Sequence, residues 1–141
     1  MTQIGTTLTT FLMSEQDRVP GARGALTRLL HDVGVACKKV SSVVRRGALA
    51  GALGAEGDEN VQGEAQKALD VLANEAMLEA LARNEQVAAL ASEELPDVWH
   101  VPDGRPRGDY LLAFDPLDGS SNIDNNLGIG TIFSILRAPA D

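Results

Sequence analysis

The chain has 141 residues, 44% hydrophobic and 23% charged, the composition of an ordinary globular protein long enough for one domain with its own core. The formal net charge is −8 and it is unevenly spread: residues 1–63 carry seven Lys/Arg against six Asp/Glu, residues 64–141 five against fourteen. An acidic second half repels nucleic acid and attracts divalent cations, and no apolar run approaches the roughly 20 residues needed to span a bilayer.

Taken in chain order, Thr6 to Asp17 is predicted to form a short amphipathic helix with Leu8, Phe11 and Leu12 on one side. Nothing before it has the apolar core of an export signal, so a cytoplasmic location is expected. Val19-Pro20-Gly21 breaks the helix. Leu26 to Arg46 follows as a long helix whose Leu26, Leu29, Leu30, Val33, Cys37, Val40 and Val44 repeat at 3–4 spacing. Arg45-Arg46 suit its last turn and Gly47 is expected to stop it. Cys37 is the only cysteine, which rules out an intrachain disulfide and fits core packing in a reducing compartment.

Residues 47–63 hold five glycines and end in a polar run, and are expected to form a mobile lid. Their glycines match no phosphate-binding signature. Glu64 to Arg83 is predicted as a second long helix with Leu69, Leu72, Ala73, Ala76, Met77, Ala80 and Leu81 buried. Strands are predicted at about 87–91, 98–101, 110–115 and 129–137, with Asp103-Gly104 turning between the second and third. Helices first and strands after favour an α+β fold, with helices layered on a mixed sheet.

Two strand ends carry the chemistry. Tyr110 to Phe114 is an apolar run, and Asp115-Pro116-Leu117-Asp118-Gly119 then presents two carboxylates three residues apart across a Pro/Gly turn. Ser120 and Ser121 follow, where a helix start would expose N–H groups to a phosphate. The preceding strand also ends in a pair of acids, Glu93-Glu94. Carboxylate oxygens suit a hard cation such as Mg²⁺. Two such ions roughly 3.5–4 Å apart would neutralise a phosphoryl group, prepare a water and stabilise the leaving oxygen. Crowded acids that share a proton also suit general acid–base work. An EF-hand fits poorly, because Pro116 follows the first acid and Asn126 stands where the closing Glu belongs. His31 and His100 join neither acidic cluster.

Ser92-Glu93-Glu94, Phe114 to Asp124, Gly130-Thr131-Ile132-Phe133, and Asn60 to Glu64 with Lys67 and Leu69-Asp70 together resemble class 1 fructose-1,6-bisphosphatase. The resemblance runs from about Leu8 to the last residue and covers the leading part of the family's length. It implies the N-terminal metal-binding and regulatory domain, residues 1–141, of the magnesium-dependent sugar-phosphatase fold. The C-terminal sugar-binding domain would be absent and the fragment alone inactive.

The implied reaction removes the 1-phosphate of fructose 1,6-bisphosphate, in gluconeogenesis or the Calvin cycle. Mg²⁺ would be the cofactor, with Mn²⁺ as a substitute, and the intact protein a homotetramer. By the same resemblance Glu93, Asp115, Asp118 and the Leu117 carbonyl bind metal, and Glu64 joins when the lid closes. Glu94, partnered by Asp70, activates the attacking water. Asp118, Gly119, Ser120, Ser121 and Asn122 hold phosphate. Sedoheptulose 1,7-bisphosphate is the alternative substrate, and a non-catalytic scaffold the alternative of another class.

One departure stands out. Many family members bind AMP through Thr-Gly-Glu-Leu-Thr and a Lys before the Tyr. Here Arg23-Gly24-Ala25-Leu26-Thr27 and Asp109-Tyr110 stand in those places. Arg23, Gly24, Thr27 and Tyr110 are the candidate nucleotide residues. Asp109 would repel a phosphate, with Arg23 as the compensating cation, so weak or absent AMP inhibition is expected.

Overall fold

The computed structural model describes residues 5–49, 59–123, 125 and 127–139, with side chains described outside 47–49 and 59–67. Among the described residues three helices precede four strands: α1 (Leu8–Gln16), α2 (Ala25–Leu49), α3 (Glu59–Leu81), β1 (Val87–Ser92), β2 (Trp99–His100), β3 (Tyr110–Asp118) and β4 (Gly130–Arg137). A single 3₁₀ turn, Ser120–Asn122, separates β3 from β4. Thr7 caps α1, its side chain accepting from the Thr10 N–H at 3.1 Å.

The sheet order is β2-β1-β3-β4. β1 and β3 run parallel, with Leu90 opposite Leu112 and Ser92 opposite Phe114. β2 and β4 flank them antiparallel. This is the mixed sheet expected from the sequence. Its parallel pair matters most, because parallel neighbours release their following loops at the same edge.

α2 and α3 cover one face of the sheet. Leu29, Val33, Ala36 and Val40 from α2 meet Leu69, Ala73, Met77 and Leu81 from α3, over Leu90, Leu112, Phe114 and Leu117 from the strands. Each helix contributes residues three or four apart, the spacing of one face. Across the helix pair, Lys39 bonds Glu79 at 3.2 Å, and the Asn84 amide donates to Asp32 at 2.6 Å.

Several expectations require correction. Gly47 does not stop α2, which runs to Leu49, and α3 begins at Glu59 instead of Glu64. A lone glycine costs a helix only about 1 kcal/mol, too little to end one. The lid expected over 47–63 therefore loses both flanks to helix, and its centre, residues 50–58, lies outside the described residues. Leu26 and Leu72 are not buried in their stripes, at 43% and 46% exposed. The buried face of α3 is narrower than its apolar sequence, and Asn74 lies inside it at 7% exposed. Cys37 is half-buried against the core. β3 continues to Asp118, with a register shift against β4 between Asp115 and Asp118. The two aspartates thus stand on an irregular strand end, not on a turn beyond it.

Candidate active site

The parallel pair carries both acidic segments to one edge. Ser92 ends β1, and the Glu93 N–H then donates to the Phe114 carbonyl of β3 at 3.0 Å. Glu93-Glu94 and Asp115 therefore emerge beside one another. Leu95 N–H closes a turn onto the Ser92 carbonyl at 3.2 Å. On β3 the Asp115 carboxylate accepts from the Leu117 N–H at 2.9 Å, which fixes its direction. Thr131 of β4 donates to the Pro116 carbonyl at 3.1 Å and steadies the irregular end.

Gly119 follows in the left-handed region, φ +80°, where a side chain would be strained. That bend starts the 3₁₀ turn and brings Ser120 back toward α3, where its hydroxyl donates to Asp70 at 3.3 Å. Asp70, expected on the second long helix, thus joins the strand-end acids through Ser120.

The neighbouring acids also shift one another's titration. The Glu93 carboxyl is held above its ordinary pKa, first by a hydrogen bond with Asp115, then by the charges of Asp115, Glu94 and Asp118. Glu94 is pushed up by desolvation, then by Asp70 and Asp115. Asp70 is pushed up by desolvation and Asp115, against the lowering effect of its Ser120 bond. Asp70, Glu93 and Glu94 each feel Asp115, among other neighbours, as a like charge. Glu93 and Asp115 line a shared open cleft of about 510 Å³ with Phe133 and Ser134. Among the described residues, no three acids stand at metal-ligand spacing. Uncompensated carboxylates repel one another, which keeps them apart when no cation is bound.

The other expected residues fall as follows. The Leu117 side chain is buried in the core at 5% exposed. Ser121 is exposed, and Asn122 donates its side-chain amide to the Gly128 carbonyl at 3.3 Å, tying the turn to the approach of β4. Glu64 lies within α3, its side chain outside the described residues. Arg23, Gly24, Thr27 and Tyr110 do meet, on the wall of a separate cavity of about 540 Å³ that Asp109 also lines. The sequence reading missed two things there and at the acids. Arg137 adds a second cation, 5.7 Å from the Tyr110 ring centre. Asn74 stands in an apolar stripe, yet its side-chain oxygen accepts from the Ser92 hydroxyl at 2.7 Å.

Helices on one face of a mixed sheet, with acids at the carboxyl edge of its parallel pair, define a layered α+β protein of the sugar-phosphatase fold. Residues 6–141 match the family model described as fructose-1-6-bisphosphatase, N-terminal domain. The class 1 fructose-1,6-bisphosphatase of Halorhodospira halophila (strain DSM 244 / SL1) is 54% identical over 136 residues, covering 96% of this chain and 40% of that protein. The crystal structure of Leishmania major fructose-1,6-bisphosphatase in holo form superposes with a TM-score of 0.80 at 38% identity, covering 96% of this chain and 39% of that one. Its apo form gives 0.75 at 36% identity, covering 96% and 37%. The chain belongs to the fructose-1,6-bisphosphatase family and aligns with its N-terminal domain. It spans about 40% of the length of the curated relative.

Proposed function

We propose that the protein containing this chain is a metal-dependent phosphatase that hydrolyses the 1-phosphate of fructose 1,6-bisphosphate. Residues 1–141 serve as its metal-binding and regulatory domain. The observation that carries this reading is the parallel β1–β3 pair, which sets Glu93, Glu94, Asp115 and Asp118 at one edge beside Asp70 and Ser120.

The residues fit a hard divalent cation. The donors are carboxylate oxygens gathered at one sheet edge, the ligand type a hard dication takes, and each of Asp70, Glu93 and Glu94 has a neighbouring carboxylate among the groups that raise it. Glu93, Asp115 and Asp118, with the Leu117 carbonyl, would hold Mg²⁺ or Mn²⁺, and Glu64 a further ion. When bound, such ions neutralise the phosphoryl oxygens and stabilise the leaving oxygen. Glu94, poised near Asp70, takes the proton of the attacking water. The water oxygen bonds to phosphorus and the bond from phosphorus to the sugar oxygen breaks. That oxygen takes up one proton from solvent as Glu94 later gives its proton back to solvent, so the net products are fructose 6-phosphate and inorganic phosphate. Asp118, Gly119, Ser120, Ser121 and Asn122 position the phosphate, in part through N–H groups of the turn. A cytoplasmic homotetramer fits the family reading.

The test is phosphate release by the intact protein in Mg²⁺. Fructose 1,6-bisphosphate is expected to be cleaved in preference to sedoheptulose 1,7-bisphosphate; the reverse preference would overturn the assignment. In the same assay micromolar AMP is expected to leave the rate nearly unchanged. Asp109 faces the cavity and opposes a phosphate, though Arg23 and Arg137 stand near it. Asp109→Lys is expected to strengthen AMP inhibition, and strong inhibition of the parent would refute the charge argument.

A further inference from the structure

Asn74 and Ser92 are the buried polar side chains of the described core, at 7% and 8% exposed. They bond to each other: the Ser92 hydroxyl donates to the Asn74 Oδ1 at 2.7 Å. The Ser92 oxygen is then free to accept, and the Glu94 N–H donates to it at 3.3 Å. A three-member relay thus runs from α3 through the end of β1 to the backbone of Glu94. Asn74 stands four residues after Asp70, one turn along the same helix and on the same side. The helix that carries Asp70 is therefore tied to the turn that carries Glu93 and Glu94.

Packing alone does not call for this pair. Leu69, Ala73, Met77 and Leu81 surround the helix face with apolar groups. A buried polar pair gives little stability over apolar side chains of similar volume, because both partners must be desolvated. What the pair contributes is direction. The Glu93 N–H is already held by the Phe114 carbonyl. The Ser92 hydroxyl adds an anchor at the Glu94 backbone, beside the Leu95 N–H bond to the Ser92 carbonyl.

We propose that Asn74 and Ser92 are positioning residues that aim Glu93 and Glu94 at the cation, acting through the turn and touching neither metal nor substrate. The inference rests on the metal reading above. Outer groups that orient ligands commonly change metal affinity by about 10–100-fold when removed.

The test is Mn²⁺ titration of the chain by calorimetry, with a thermal melt on each variant. Ser92→Ala is expected to weaken Mn²⁺ binding about tenfold, and Ser92→Thr, which keeps the hydroxyl, to stay within about threefold of the parent. Asn74→Leu combined with Ser92→Ala removes both buried polar groups together. That double variant is expected to melt within about 3 °C of the parent yet still bind Mn²⁺ about tenfold more weakly. A purely structural pair would lose stability and not affinity. Parent-like Mn²⁺ binding in the double variant, or equal losses in Ser92→Ala and Ser92→Thr, would overturn the positioning role. If the double variant fails to fold, the Ala/Thr contrast at Ser92 decides alone. Asp115→Ala separates the two levels: if it leaves Mn²⁺ binding intact, the metal reading falls and this role with it. If it abolishes binding while the double variant does not weaken it, only the positioning role falls.

Discussion

Asp118→Ala in the intact protein is expected to lower phosphate release from fructose 1,6-bisphosphate by on the order of 10³-fold, with no loss of thermal stability. Asp118 is exposed at the end of β3, so its removal opens no cavity. Its charge is one of those that raise the Glu93 carboxyl. The sign follows from that direction. A carboxyl raised above its unfolded value favours the folded state at acid pH, and that contribution is lost as pH rises through the raised value. At neutral pH the acidic cluster therefore opposes folding when no cation is bound. Removing Asp118 relieves repulsion and takes away the proposed metal ligand at once. A kinetic assay beside a melt reads both effects. A variant that keeps its activity, or one that loses activity only because it unfolds, would contradict the assigned role.

Gly108→Ala is expected to unfold much of the domain, at a cost of about 3 kcal/mol or more. Gly108 lies just before β3, where the chain passes against the start of β1. Its N–H donates to the Val87 carbonyl at 3.1 Å, and the Tyr110 N–H to the Gln86 carbonyl at 3.0 Å. A Cβ on Gly108 would overlap the Gln86 carbonyl group and stand 2.5 Å from the Val87 nitrogen. Those atoms are backbone and cannot swing aside as a flexible side chain would. The collision sits at the mouth of the parallel pair, so the register that brings Glu93 beside Asp115 would slip as well. The expected readout is a melting temperature lower by about 10 °C, together with loss of Mn²⁺ binding. A variant that melts like the parent would show that β1 and β3 tolerate a wider spacing.

Gly108 also illustrates what the sequence could not disclose. Its role depends on residues 86 and 87, more than 20 positions earlier, and nothing in Arg107-Gly108-Asp109 marks a close crossing. Asn74 was invisible for a similar reason: a polar residue in an amphipathic helix is ordinarily on the wet side, and only Ser92 across the core explains its burial. A single glycine does not carry the force of a stop: α2 passes Gly47, and α3 begins at Glu59, ahead of the expected Glu64. Leu26 and Leu72 carry the right periodicity on helix faces left exposed among the described residues. Arg137 reaches the Tyr110 ring only because β4 pairs in register with β3. What was legible was local. The two strand-end acidic segments, the glycine at the bend and the apolar runs before them are each written in consecutive residues. Their meeting at one edge required only that β1 and β3 be parallel neighbours, which the structure shows.

Calorimetric titration of Mn²⁺ into this chain, with and without inorganic phosphate, probes the gathered carboxylates most directly. Saturable binding that phosphate tightens and Asp115→Ala removes is the expected result. Absence of saturable binding, or binding indifferent to Asp115→Ala, would mean that these acids meet at the sheet edge without forming a cation site.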